Sequence, residues 1–141
     1  MKRSGSAVWN GAIKTGGGTV STESGVLDAT SYSFSKRFGE EAGTNPEELI
    51  GAAHAACYSM ALSGFLNAAD LTADAIHTTA TVDIQPVDGG FEIKGVHLVV
   101  RAKVPGADTD AFAKAAETAK ANCPVSRVLN AEITMDAALE G

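Results

Sequence analysis

The 141-residue sequence contains only two cysteines and no excess of positive charge. Its 11 basic residues are outnumbered by 17 acidic ones, and a net charge of −6 argues against nucleic-acid binding, which needs a basic patch. Two cysteines do not make a disulfide framework for a chain of this size. The basic pair near the start has no apolar segment behind it, so no signal peptide is predicted. We therefore expect one domain, residues 1–141, in the reducing cytoplasm.

Motifs for metal and phosphate binding are also missing. The two cysteines and three histidines show none of the spacings that are typical of metal sites. The Gly16-Gly17-Gly18 run lacks the lysine and the strand–turn–helix context of a phosphate-binding loop, and it predicts a hairpin turn. The sequence therefore predicts no metal site.

Charged residues are absent from 49–69, and this stretch predicts a long helix. Asn45 is suited to be its N-cap, Pro46 its first residue and Glu48 the partner in a capping box. The stretch is long enough to cross a bilayer, but it is rich in Ala, Gly and Ser and its flanks are acidic without Lys or Arg. We interpret it as the core helix of a water-soluble protein and expect no membrane association. A helix that is apolar all round must be enclosed, which favours a homodimer.

The remaining pattern predicts three strands before this helix, then two strands, two helices and a last strand. The third strand is expected over Ser31–Phe38, because aromatic side chains alternate with polar ones. The hydrophobic parity switches at Gly95, which predicts a β-bulge there. This order indicates an α+β fold with mainly antiparallel sheet.

Cys57 lies in the middle of the long predicted helix, where a thiol is either a small packing residue or a reactive group. Glu47, His54 and Cys57 share one helix face. Cys57 is too far inside the helix for the helix dipole to stabilise a thiolate, so a nearby cation is needed. Arg37 is the best candidate because it stays charged, and it can be held by Glu47. A solvated surface arginine remains the alternative.

Cys123 precedes Pro124 at the expected start of a short helix, where N–H groups favour a thiolate. It is therefore suited to be a partner in disulfide exchange, with simple packing as the alternative. Sequence spacing cannot pair the two cysteines. His54 is expected to be packed or hydrogen-bonded rather than a base for Cys57.

Three stretches carry specific motifs: GTVSTESGVL at 18–27, GTNPEELIGAAHAAC at 43–57 and CPVSRVLNAEIT at 123–134. Together they resemble the OsmC / organic hydroperoxide resistance family over nearly the whole chain, most closely its OsmC branch. Arg37 matches the arginine of that branch, whereas Gly17 and Gly18 occupy the region where the sister branch has its arginine. The resemblance implies mainly antiparallel sheets around a long buried central helix, in an intertwined homodimer.

The resemblance also implies a function, a thiol peroxidase that reduces organic hydroperoxides, and hydrogen peroxide more weakly, in oxidative and osmotic stress defence. By the family pattern Cys57 is the peroxidatic and Cys123 the resolving cysteine of an intramolecular disulfide, assisted by Arg37 and Glu47. A dithiol of the dihydrolipoamide type is the implied reductant, with no metal or organic cofactor. The alternative is a non-catalytic dimeric module that binds a small apolar ligand. Ile50, Met60 and Phe38 are candidates to line the substrate pocket.

Overall fold

The computed structural model describes residues 1–141, which group into two compact units, Met1–Leu49 and Ile50–Gly141. The elements follow in the order β1 (Gly5–Asn10), β2 (Gly17–Thr22), β3 (Thr30–Tyr32), α1 (Phe34–Phe38), α2 (Pro46–Asn67), β4 (Ala75–Val87), β5 (Gly90–Lys103), α3 (Thr109–Asn122), α4 (Pro124–Val128) and β6 (Glu132–Glu140). The helix α2 begins in the first unit and continues through the second. The expectation of one domain over 1–141 stays a prediction.

The first unit contains an antiparallel sheet in the order β1-β2-β3. Gly18 pairs with Trp9 on one side and with Tyr32 on the other, and the two rings meet with their centroids 5.4 Å apart. A Cβ atom at Gly18 would lie 2.1 Å from the Val8 carbonyl oxygen and 2.8 Å from the Tyr32 ring. Glycine is required here because the neighbouring strands leave no room for a side chain.

The predicted third strand over Ser31–Phe38 is wrong beyond Tyr32. The chain turns into α1 after Ser33, whose hydroxyl accepts a hydrogen bond from the Lys36 N–H at 3.2 Å. Phe34 and Phe38 are four residues apart, a spacing that fits one face of a strand and one face of a helix equally well. Their ring centroids lie 5.1 Å apart in the helix. Arg37 is consequently presented by a helical turn and not by a strand.

The long helix α2 starts where the sequence predicts. The Asn45 side chain accepts a hydrogen bond from the Glu48 N–H at 2.8 Å, and Pro46 is the first helical residue. One face of the helix is buried in the single chain, along a stripe at helical spacing formed by Gly51, His54, Tyr58, Leu62 and Leu66. The opposite face is exposed and carries Ala52, Ala53, Ala56, Met60, Gly64 and Asn67.

By length and composition alone, α2 is the one helix that is suited to cross a membrane, and the core helix of a soluble protein passes the same test. Of its most apolar stretch, 28% is buried within the single chain. The sequence predicts that this helix is enclosed on all sides, but the chain itself covers only one of its faces.

The second unit is built on a sheet in the order β4-β5-β6, with the hairpin β4–β5 antiparallel and β5–β6 parallel. The strand β6 runs parallel because α3 and α4 carry the chain across before it returns. Asp83 pairs with Gly95 and Ile84 with Ile93, so the bulge predicted at Gly95 is present, with Lys94 as the extra residue. The mainly antiparallel α+β fold is confirmed.

The hydrophobic core of the second unit lies among α2, α3 and β5. The helix α3 buries one face, and the Asp108 side chain caps the helix by accepting from the Ala111 N–H at 2.7 Å. The fully or nearly fully buried apolar residues are Tyr58, Leu62, Leu66, Val96, Leu98, Val100, Ala102, Val104, Phe112, Ala115, Ala116, Ala119 and Cys123. A cysteine thus belongs to the core of this unit.

Candidate active site

The two cysteines meet within the second unit. Cys57 lies in the middle of α2 and is partly buried, whereas Cys123 is fully buried between α3 and α4. Both are free thiols, and each acts on the other as a hydrogen-bonding neighbour. The spacing of the sequence left the pairing of these residues open, and the packing of α2 brings them together.

The backbone around Cys123 fixes its position at the junction of two helices. Its N–H donates to the Ala119 carbonyl at 2.8 Å and its carbonyl accepts from the Arg127 N–H at 3.0 Å, so it ends α3 and begins α4. Pro124 cannot donate a hydrogen bond, which suits the first position of α4 and stops α3 from continuing. The sulfur makes no side-chain capping hydrogen bond. The N–H groups of Val125 and Ser126 on the first turn of α4 nevertheless act on the Cys123 thiol.

The environment shifts the two thiols in opposite directions. Burial raises the pKa of Cys57, the Cys123 thiol raises it further, and the Val125 N–H opposes both effects only in part. Burial would also raise the pKa of Cys123, but the Cys57 thiol, the N–H and hydroxyl of Ser126 and the Val125 N–H together lower it. Within the single chain, Cys123 is therefore the thiol that ionises more readily. No cation of the second unit acts on Cys57.

The predicted pairing of Arg37 with Glu47 is present within the first unit. The Arg37 Nη2 atom donates to Glu47 Oε1 at 2.7 Å, and Nε lies 3.2 and 3.1 Å from the two carboxylate oxygens. The Glu47 side chain is 10% exposed and that of Arg37 36%. Fork geometry of this kind fixes the plane of the guanidinium group and leaves Nη1 without a contact to Glu47. Glu47 thus holds the guanidinium group in place, and the Nη1 atom can still donate hydrogen bonds to another group.

An apolar pocket adjoins Arg37 in the first unit. Its volume is about 270 Å³, and its lining consists of Trp9, Ile13, Tyr32, Ser33, Phe34, Arg37 and Phe38. The Arg37 guanidinium carbon lies 4.9 Å from the centre of the Phe38 ring, a cation–π contact. Phe38 was one of three residues predicted to line a substrate pocket, and it lines this one. Ile50 and Met60 belong to the second unit, and their role as lining residues stays a prediction.

His54 is fully buried and hydrogen-bonded, as expected for a histidine that is not a base for Cys57. Its Nε2 atom lies 2.7 Å from the hydroxyl oxygen of Ser126. Ser126 was missed by reasoning from sequence, although its place three residues after Cys123 puts it on the first turn of α4. No three His, Cys, Asp or Glu side chains are grouped so that they could hold a metal ion.

Comparison with known proteins places this geometry in a family. Residues 39–138 match the family model described as OsmC, OsmC-like protein. The chain is 55% identical to the Peroxiredoxin OsmC of Escherichia coli (strain K12) over 136 residues, which cover 96% of this chain and 95% of that protein. It is 30% identical to the organic hydroperoxide resistance protein OhrB of Bacillus subtilis (strain 168), covering 82% of this chain and 84% of the relative.

Solved structures agree with the sequence comparison. The crystal structure of Bacillus subtilis OhrB superposes with a TM-score of 0.73 at 25% identity and covers 96% of this chain and 98% of that chain. An OsmC-like protein of unknown function from Vibrio cholerae has a TM-score of 0.76 at 15% identity, covering 98% and 99%, which supports the fold alone. The resemblance found in the three motifs is confirmed, as is the OsmC-like α+β fold. The chain belongs to the OsmC family.

Proposed function

We propose that this OsmC-family peroxidase reduces organic hydroperoxides to alcohols, and hydrogen peroxide more weakly, in oxidative and osmotic stress defence. One observation carries the proposal: two free thiols, Cys57 on α2 and Cys123 at the start of α4, act directly on one another. This is the arrangement that a peroxidatic and a resolving cysteine need. The high identity to a peroxiredoxin over nearly the whole chain supports the same chemistry.

In the first step, the Cys57 thiolate attacks the outer oxygen of the hydroperoxide. A sulfur–oxygen bond forms, the oxygen–oxygen bond breaks, and the alkoxide takes a proton and leaves as an alcohol. Cys57 is oxidised by two electrons to a sulfenic acid, and the peroxide is reduced by the same two electrons. The reaction therefore needs a thiolate at Cys57 and a donor for the departing alkoxide.

In the second step, the Cys123 thiolate attacks the sulfenic sulfur. A disulfide forms between Cys57 and Cys123, and hydroxide leaves and becomes water on taking a proton. The lowered pKa of Cys123 suits this attack, because the thiolate is the nucleophile. An external dithiol, of the dihydrolipoamide type, then returns both cysteines to thiols by disulfide exchange and is itself oxidised to a disulfide. No metal or organic cofactor enters this cycle. The disulfide must be reduced after every turnover, which suits a reducing cytoplasm.

The Arg37–Glu47 pair supplies the cation that Cys57 otherwise lacks. Burial and the Cys123 thiol hold the pKa of Cys57 above its ordinary value, so an ionised Cys57 needs a positive charge nearby. Arg37 is permanently charged, held by Glu47 and free to donate through Nη1 to a thiolate or to a peroxide oxygen. We infer that Arg37 stabilises the thiolate and orients the peroxide, while Glu47 positions Arg37.

A homodimer completes the proposal. The exposed face of α2 carries small residues and Met60, which is 81% exposed in the single chain. A second copy is the expected cover for this apolar face, since small side chains let another backbone approach closely. The aromatic pocket beside Arg37 favours an alkyl or aryl group on the substrate over the bare hydrogen of hydrogen peroxide.

Peroxide treatment followed by mass spectrometry tests the function. We expect one equivalent of cumene hydroperoxide to convert both thiols to a Cys57–Cys123 disulfide within one chain, seen by intact mass and peptide mapping. Cys57→Ser should abolish peroxide consumption, whereas Cys123→Ser should still consume one equivalent and stop at the sulfenic acid. If both thiols stay free and Cys57→Ser binds an apolar ligand as the parent does, the protein is the non-catalytic binding module instead.

A further inference from the structure

The hydrogen bond between the buried His54 and the partly buried Ser126 has no part in the cycle described above. His54 is fully buried on α2, and its Nε2 atom lies 2.7 Å from Ser126 Oγ on α4. The other ring nitrogen, Nδ1, is buried and has no hydrogen-bond partner. A buried ring nitrogen without a hydrogen-bond partner lowers the stability of the folded protein, so this arrangement needs an explanation.

The bare Nδ1 atom decides the tautomer of His54. Burial lowers the pKa of His54, so the ring is neutral near neutral pH and carries one proton. A buried N–H without an acceptor is rarer in proteins than a buried lone pair without a donor. The proton therefore lies on Nε2, and His54 donates to the Ser126 oxygen. The serine hydroxyl hydrogen is then free to point elsewhere.

That hydroxyl also neighbours Cys123. Ser126 lies three residues after Cys123, and both its N–H and its hydroxyl act on the Cys123 sulfur. The other titratable groups here are Cys57, which also acts on Cys123, and Tyr58, which is affected by Cys123 and by Glu117. None of these is a cation, so hydrogen-bond donors are what a Cys123 thiolate depends on.

We propose that His54 and Ser126 are positioning residues for Cys123, in a chain of donors that runs from His54 Nε2–H to Ser126 Oγ–H to the Cys123 sulfur. The histidine orients the serine hydroxyl, and the serine donates to the thiolate. The inference rests on the proposed function for the role of Cys123 as the resolving cysteine. The donor chain itself requires only the residues of the second unit.

The donor chain serves the steps in which Cys123 carries negative charge. When the Cys123 thiolate attacks the Cys57 sulfenic acid, its charge passes to the departing hydroxide and the serine hydrogen bond weakens. When a dithiol attacks the Cys57 sulfur of the disulfide, Cys123 leaves as a thiolate and regains that hydrogen bond. His54 keeps its proton throughout, so it neither consumes nor supplies one. Resolution and reduction are the steps that depend on the pair.

The proposal can be tested without peroxide by measuring the pH at which Cys123 becomes a thiolate. In a Cys57→Ser chain, Cys123 is the only thiol, and its alkylation rate by iodoacetamide is followed against pH. Adding Ser126→Ala or His54→Leu should move the midpoint about one unit to higher pH and slow alkylation at neutral pH about tenfold, since a hydrogen bond to a charged group is lost. His54→Gln, whose amide nitrogen can replace Nε2, should restore most of the rate.

A matched control is Ser59→Ala, which removes a partly buried hydroxyl on α2. This hydroxyl donates to the Thr78 hydroxyl at 2.8 Å and does not act on Cys123. It should leave the midpoint where it is in the Cys57→Ser parent. Unchanged midpoints in both Ser126→Ala and His54→Leu, compared with the parent, would overturn the proposal. Long-range ¹⁵N–¹H NMR gives a second readout: it should show the Nε2–H tautomer of His54, and the Nδ1–H tautomer would refute the donor chain.

A trapping experiment links the pair to the reaction cycle. With both cysteines present, cumene hydroperoxide is added together with dimedone, which captures sulfenic acid before it is resolved. The ratio of Cys57–dimedone adduct to Cys57–Cys123 disulfide should rise several-fold in Ser126→Ala. An unchanged ratio would contradict a role in resolution. If the parent protein forms no sulfenic acid at all, the proposed function fails, whereas the alkylation profiles still decide the donor chain.

Discussion

At the scale of single residues, the proposed reactivity of Cys57 depends on the charge of Arg37 and on Glu47, which holds Arg37 in place. Burial raises the pKa of Cys57, and the groups that act on it within the second unit do not reverse this shift. Arg37 makes three contacts to the two oxygens of Glu47, so its fork is fixed while it retains free donors. A lysine in its place would keep the charge and lose this planar geometry.

Substitution of Arg37 should slow the oxidation of Cys57. In Arg37→Lys we expect the rate with cumene hydroperoxide to fall by about tenfold or more, because one oriented charge-assisted hydrogen bond contributes about 1.5–3 kcal/mol. In Arg37→Met, in a Cys123→Ser chain, alkylation of Cys57 should move to higher pH. Without the positive charge of Arg37, burial raises the pKa of Cys57 unopposed, and a higher pKa leaves less thiolate at any given pH.

The matched control for this prediction is Arg101→Lys, which alters a partly exposed arginine paired with Asp136 at 2.8 Å. Its oxidation rate should equal that of the unmodified chain. Equal rates in Arg37→Lys and Arg101→Lys would show that the guanidinium fork has no part in the reaction.

At the scale of elements, the long helix was predictable and the short one was not. Asn45, Pro46 and the following uncharged stretch mark the start and course of α2 in the sequence alone. The segment that contains α1 is too short for its period to be recognised, and Phe34 and Phe38 satisfy both a strand and a helix pattern. The Ser33 cap decides in favour of the helix, and with it the element from which Arg37 projects.

The packing of α2 on β4 depends on Gly51. A Cβ atom there would lie 2.9 Å from the Ala80 carbonyl oxygen, a backbone atom that cannot turn away. Gly51→Ala should therefore lower the free energy of unfolding by about 1–3 kcal/mol, despite the better helix propensity of alanine. Urea unfolding followed by circular dichroism measures this. Gly90→Ala, at a position where a Cβ meets nothing within 4 Å, is the control, and equal losses in the two variants would contradict the close approach.

At the scale of the whole molecule, the chain leaves one side of its most apolar helix uncovered. Met60 and the small residues around it form a continuous exposed stripe along α2. A stripe of this kind is unusual for a chain that works alone, and the proposed homodimer covers it.

A charge placed on this stripe should separate the proposed dimer. In Met60→Asp, burying an unpaired carboxylate costs several kcal/mol, so sedimentation should show monomers at concentrations where the parent is dimeric. Peroxide consumption should fall in parallel if the active assembly is the dimer. Val26→Asp, an equally exposed apolar site on a turn of the first unit, should leave the assembly intact. A monomeric parent would contradict the proposed homodimer directly.

The sequence by itself determined the fold class, the start of the central helix, the bulge at Gly95 and the family. Short-range sequence patterns predict these features, namely helix caps, side-chain alternation and contiguous motifs. Only the tertiary structure decided that Cys57 meets Cys123, that Cys123 ionises more readily within the chain, and that His54 reaches Ser126. The physical reason is that each of these contacts joins segments far apart in sequence, and the pKa of a buried thiol depends on neighbours that only folding brings to it.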